Sequence, residues 1–328
     1  MGSCIPGCSA AEAGPAAAGA GGLGAPAKQR HNAPMLSIWI GSFDQGLAYA
    51  GLALGVYLTL RVLNFADITV DGSFALGGGS AALLLSENVA PPLALLVAVG
   101  LGALAGAVTG LIHTRLGVND LFAGILTTTG LYSITLRLMG RSNIPLTDLH
   151  LAIDSWPDLG LAADGRWLLA LVLVVAGLIG LLALLLATDL GLALRALGNN
   201  PVMARSNGVS TGRGLTLGIA AGNGLVALAG ALVAMYQGFA DVTMGIGSLI
   251  LGLGAVIVGE SVLRPRSVPM ALLAVVLGSV LFRAMIALAL QLGMDPVDLK
   301  LATALLLLAA LGLGRLRIPG VSDAGGKP

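Results

Sequence analysis

The chain has 328 residues, 56% of them hydrophobic and 10% charged, with a net charge of +1 at pH 7. A soluble domain is about a quarter charged, so a water-facing surface does not fit this composition, and no basic patch points to nucleic acid. Cys4 and Cys8 alone, with His31, His113 and His150 scattered, leave no metal-ligand spacing, and no cofactor is expected.

Mean hydropathy is +0.94. Crossing a ~30 Å hydrocarbon layer at ~1.5 Å per residue takes about 20 residues. About nine apolar runs of that kind are present, which predicts an all-α polytopic membrane protein. The 49 glycines fit, because small residues let membrane helices approach closely. Gly102, Gly106 and Gly110 fall on one helical face and predict tight packing.

Residues 1–34 are low-complexity Ala, Gly and Pro without the apolar core of a secretory signal; a disordered leader, or a start near Met35, is expected. The first span is expected over about Asp44 to Leu60, and the second over the stretch after Phe65 to Ser86. The third runs from Pro91 to about His113 and the fourth from Asn119-Asp120 to Met139. A loop, about 140–166, carries Asp148, Asp154, Asp158 and Asp164. The fifth span covers about Trp167 to Ala187, and a more polar segment, Asp189 to Arg213, follows. Spans six to nine are expected at about Leu215 to Gln237, Phe239 to Glu260, Pro269 to Leu290 and Leu299 to Leu313, before a tail at 318–328.

The chain is organised around a motif that occurs twice. Phe65-Ala66-Asp67-Ile68-Thr69 is echoed 174 positions later by Phe239-Ala240-Asp241-Val242-Thr243, each followed by a tract of Gly and Ser. The copies follow loops on opposite faces, which predicts two inverted-topology halves, about 44–139 and about 215–313, with about 140–213 as connector. Acidic and hydroxyl side chains at such places are costly in lipid, so they face protein, water or a solute. Asp67, Thr69, Asp71, Ser73, Asn223, Asp241, Thr243 and Ser248 are therefore the candidate translocation path. Asp67 and Asp241 also read as helix N-caps. Asp71 is matched by Gly245 and reads as facing a wet cavity or a polar solute group. Asn223 reads equally as a helix-to-helix hydrogen bond, and Arg283 as a snorkelling or ion-paired side chain.

Arg61, Arg115, Arg195, Arg205, Arg213, Arg264, Arg266, Arg315 and Arg317 fall in one set of alternating loops. That set is expected to be cytoplasmic, which puts the amino end outside and the carboxyl end inside a bacterial inner membrane. Within 189–213, the Leu192, Leu194 and Leu197 spacing suits a helix along the membrane surface. Asn200 can cap a second short helix starting at Pro201, and Gly208 can end it. The segment reads as a solvated loop or as a docking knob for a cytoplasmic partner. No phosphate-binding loop is present: Gly326-Lys327 is followed by Pro328. Transport is then driven by another subunit or, alternatively, by an ion gradient carried through Asp71.

These residues carry a resemblance. Leu63-Asn64-Phe65-Ala66-Asp67 with Asp71-Gly72-Ser73, Arg195-Ala196-Leu197-Gly198-Asn199-Asn200-Pro201, and Gln237-Gly238-Phe239-Ala240-Asp241 with Met244-Gly245-Ile246-Gly247 resemble the permease subunits of ABC importers of the branched-chain amino-acid and ribose type. Similarity is greatest to an amino-acid branch that includes tryptophan/tyrosine importers, and covers about 44 to 317. It implies a cytoplasmic ATP-binding subunit, an extracytoplasmic solute-binding protein and a second permease chain forming a homodimer. It also implies an ATPase-docking element. Val202-Met203-Ala204 with Gly208 keeps that element's spacing but lacks its Glu, and Arg195, Asn200, Ala204, Arg205 and Gly208 are the candidate docking residues.

Overall fold

The computed structural model describes residues 35–146 and 163–294, with positions 298, 301, 303–305, 307 and 308 beyond them. The leader, most of the acidic loop, most of the ninth expected span and the tail lie outside the described residues.

The first expected span begins earlier than the sequence suggests and is not a uniform helix. α1 (Met35–Ala48) turns at Tyr49 into α2 (Ala50–Val56), which runs into a π-helical segment, Tyr57–Val62. The chain then passes through Asn64, in a left-handed conformation with φ 53°, into α3 (Thr69–Ser86). α4 (Pro91–Leu116) starts on two prolines, whose missing N–H groups cost nothing there, and stops at Gly117, φ 67°. The Asn119 side chain caps α5 (Asp120–Met139) by accepting from Leu121 N. α6 (Ala163–Ala187) leads to α7 (Asp189–Asn199) and α8 (Pro201–Ser206), and α9 (Thr211–Gln237) follows. α10 (Ser248–Leu263) and α11 (Val268–Gln291) complete the described helices.

Five described helices are long and apolar enough to cross a membrane: Pro91–Leu116, Asp120–Met139, Gly165–Ala187, Thr211–Gln237 and Val268–Gln291. The others fall short of that measure for a physical reason. α1–α2 is bent, α3 is diluted by Gly72 and Gly77-Gly78-Gly79, and α10 has 16 residues. α2 and α3 bury most of their residues inside the bundle, and α10 nearly half of its own. Of the apolar window of α9, 78% is buried, against 22% for α6, so α9 is central and α6 peripheral. The outward residues of α4 and α5, such as Leu96, Leu104, Phe122 and Leu126, are apolar as a lipid-facing surface requires.

Glycine sets the helix spacing. A Cβ at Gly102 or Gly106 would meet Asn223 O or Ile219 O within 2.5–2.6 Å, so the α4 face predicted for tight packing lies directly on α9. The same kind of contact recurs between α1 and α11. A Cβ on Gly106 would lie 2.9 Å from Ala220 Cα, and one on Gly46 would lie 2.6 Å from Val280 Cα. Each residue of the second pair stands 174 positions from a residue of the first, the same interval as the motif echo.

Two features correct the sequence reading. Phe239–Asp241 is a β-strand (β2) rather than the opening of a helix, and pairs antiparallel with β1 (Asn143–Pro145), Asn143 facing Asp241. This ribbon buries Ile144, Ala240 and Val242 against Ala82, Met139 and Ala234, closing one end of α3, α5 and α9. The seventh expected span accordingly begins at Ser248, not Phe239. Turns through Thr243–Ile246 and Gly247, φ 88°, delay it.

Candidate functional site: a polar seam between α3, α9 and α10

The first copy of the motif turns its acid inward. Asp67 is fully buried: Oδ1 accepts from Thr69 N at 2.9 Å and Oδ2 from Asn223 Nδ2 at 2.6 Å. Asn223, in the middle of α9, also donates to Ile219 O at 3.0 Å and accepts from Ser73 Oγ at 2.7 Å. Thr69 Oγ1 lies 2.8 Å from Thr109 Oγ1 of α4. Buried polar groups are stable only when each finds a partner. This group does so by joining α3 to α4 and α9.

Asp71, one turn deeper, reaches across to α10. Its Oδ1 accepts from Leu249 N at 2.8 Å and from Ser248 Oγ at 2.9 Å, and its Oδ2 from Gly247 N at 3.1 Å. The first N–H groups of a helix have no partner within it, and its amino end carries partial positive charge. Asp71 answers both. Its sequence counterpart Gly245 lies against it: a Cβ there would run into the Asp71 carbonyl, so glycine is what permits the approach. Asp71 also lines a small cavity, whose wall is almost wholly apolar, while its carboxylate is held by α10.

The second copy does not mirror the first. Asp241 lies in β2 near the surface and bonds Thr243 of its own turn through backbone N, at 2.7 Å, and hydroxyl. Those bonds hold its carboxyl below the usual carboxylate range. The eight candidate path residues therefore separate into three places. Asp67, Thr69, Ser73 and Asn223 come together, Asp71 joins Ser248, and Asp241 with Thr243 stands apart at the ribbon. Thr109 was missed, although its spacing from Gly102 and Gly106 places it on the same α4 face. Arg283 stacks on the Tyr49 ring, 3.6 Å from its centroid, rather than pointing to the lipid. No group of residues able to hold a metal occurs among the described residues.

At the end of the molecule marked by the Arg61–Glu260 ion pair, 2.9 Å, α7 and α8 form the expected pair of short helices. Asn200 Oδ1 accepts from Val202 N and Met203 N at 3.1 and 3.0 Å. Gly208, φ 82°, ends α8, with Val209 N donating to Ala204 O and Gly208 N to Arg205 O. Arg195, Asn200, Arg205 and Gly208 are exposed, whereas Ala204 is buried and anchors α8 to the body. Val202 and Met203, which the sequence places in the docking element's spacing, are exposed apolar residues between them.

The family model described as "Branched-chain amino acid transport system / permease component" matches residues 40–311. A tyrosine transport system permease protein of Clostridioides difficile is 39% identical over 280 residues, 85% of this chain and 92% of the relative. An uncharacterized protein of Rickettsia prowazekii is 32% identical over 84% of this chain and 97% of its own length. An autoinducer 2 import system permease protein of an Enterobacter species is 30% identical over 57% of this chain and 53% of its own. No solved structure matches the chain. A helical bundle with lipid-facing outer helices and a polar seam at its centre is what a multi-pass inner-membrane transport protein requires, and the chain belongs to the branched-chain amino acid transport system permease family, the membrane-spanning component of ABC importers.

Proposed function

We propose that the seam is the path by which an α-amino acid, or a closely related small solute, enters the cell. The observation that carries this reading is the contact between halves. Asp67 and Asp71 of the first half are held by Asn223 and the start of α10 in the second. The matched pairs Gly106–Ala220 and Gly46–Val280 support an inverted repeat of about 44–139 and about 215–313 around that contact. The tyrosine permease likeness supports the solute class.

A separate cytoplasmic ATP-binding subunit supplies the energy, an extracytoplasmic binding protein delivers the solute, and a second permease chain completes the path. The arginine-rich end, with Arg61, Arg195 and Arg205, faces the cytoplasm, which sets the amino end outside. There the exposed Arg195, Asn200, Arg205 and Gly208, with Val202 and Met203, receive the ATPase. Its closure pushes α7–α8 and rocks the two halves between outward and inward openings.

Purified permease, ATPase and binding protein in liposomes test the reading. ATP-dependent amino-acid uptake is expected, and Gly208→Glu should remove solute-stimulated ATP hydrolysis and uptake together. Uptake driven by an ion gradient with no ATPase present would instead favour an ion-coupled transporter.

A further inference from the structure

α7 is wedged against both halves of the chain. Gly198, in its last turn, lies on the end of the π-helical segment: a Cβ there would run into the Val62 carbonyl and stand 3.1 Å from Leu63 C. Leu197 and Leu194 of α7 sit over Gly214 and Gly218 of α9. Leu63 shares the second place, where a Cβ on Gly218 would lie 2.5 Å from Leu63 Cδ1. All three leucines are buried. Close-packed groups transmit displacement rather than absorb it, so α7 cannot press inward without moving Val62.

The segment it presses on is not ordinary helix. Leu63 N donates to Leu58 O at 3.1 Å and Phe65 N to Thr59 O at 2.9 Å, wider turns than an α-helix makes. Such turns are frequent at functional sites. Asn64 follows with φ 53°, a left-handed conformation uncommon outside glycine. Three residues further on is Asp67, bound to Asn223 of α9. One residue before Val62 is Arg61, whose Nε donates to Glu260 Oε1 of α10 at 2.9 Å. That pair ties the first half to the second. Its side chains are 64% and 22% exposed, and so wetted an ion pair contributes little to stability. It is a tie that opens easily. Arg195 of α7 stands near enough for its charge to act, with those of Arg61 and Glu260, on the Tyr57 phenol.

We propose that Arg61–Glu260 is a latch between the two halves, and that α7 opens it by pressing through Gly198 on Val62. When the ATPase closes and α7 moves, Val62 moves with it. Arg61, the adjoining residue, is carried away from Glu260, and the turn at Asn64 passes the displacement on toward Asp67. A contact made in one state and lost in the other is what lets a push shift the balance between them. The proposal rests on the ATPase-docking reading above and adds the route by which the push reaches both halves.

The test uses the complete importer in liposomes. Arg61→Cys and Glu260→Cys are combined in a chain carrying Cys4→Ser and Cys8→Ser, and are bridged with a short bifunctional methanethiosulfonate. A non-hydrolysable ATP analogue, which holds the ATPase closed, should slow bridging at least about fivefold, the lower end of usual coupling between sites. Gly198→Ala in the same chain should abolish that slowing. Bridging should stop uptake, and a reductant should restore it. In the otherwise native chain, Glu260→Arg should raise ATP hydrolysis without binding protein by about fivefold, and adding Arg61→Glu should bring it back. Wild-type ATP-dependent uptake together with bridging that the analogue leaves unchanged would overturn the latch alone. Slowing that persists in Gly198→Ala would overturn the route through Val62. A wild-type permease that neither binds the ATPase nor transports with ATP would overturn the docking reading, and the proposal with it. If Gly198→Ala or the charge swap does not fold, bridging of the cysteine pair with Gly198 in place still decides.

Discussion

Phe65–Thr69 and Phe239–Thr243 share four of five residues and build different structures. In the first, the acid is fully buried and ties α3 to α9 through Asn223; in the second, it stays near the surface and ties only its own turn. The first runs straight into a helix at Thr69, whereas the second enters a strand and reaches its helix only at Ser248. The difference lies in the neighbours. The counterpart of Asn223 at the 174-residue interval is Tyr49, which offers no amide, and the counterpart of Asp71 is Gly245, which offers no carboxylate. Under the proposed repeat, one half carries the charge and the other supplies the donors that receive it.

Breaking the inward copy should have the largest effect. Asn223→Ala takes one hydrogen bond from the buried Asp67 carboxylate and one from Ser73, and should cost about 3 kcal/mol of stability, read as a lower thermal midpoint in detergent. Asn200→Ala removes the cap on α8 and should cost about 1 kcal/mol. Its clearest readout is faster amide exchange at Val202 and Met203. Thr243→Val, at the outward copy, should change stability by no more than about 0.5 kcal/mol. Comparable losses for Asn223→Ala and Thr243→Val would erase the contrast.

The outward copy also has a pH signature. The Asp241 carboxyl is held below its ordinary value by Thr243. Its contribution is therefore fully present above the unfolded value, about 4, and is lost as pH falls through the lower folded value. Exposure keeps it small. Thermal midpoints from pH 6 to 3 should fall slightly less steeply for Asp241→Asn than for the parent chain.

Much of this architecture was legible in the sequence, because burying a helix in lipid demands long apolar runs and glycine where backbones touch. The Asn200–Pro201 start and Gly208 stop of α8 were legible for the same local reasons. The β1–β2 ribbon was not: three-residue strands carry no periodicity, and Asn143 and Asp241 are brought together only by tertiary packing. Nor could the sequence say that Asp71 would cap α10, since that pairing spans 178 positions to Leu249. Asn223 drew notice because an amide is rare in an apolar run, but its partner could be found only in three dimensions.

The central claim is that the two copies enter the membrane from opposite faces and that their halves meet through Asp71. Single cysteines at Arg61, 64% exposed, and at Phe239, 42% exposed, flank the copies at opposite ends of α3. Labelled with an impermeant maleimide in right-side-out and inverted vesicles, Arg61→Cys should react only from the cytoplasmic face and Phe239→Cys only from the outer face. Labelling of both from the same face would contradict the account.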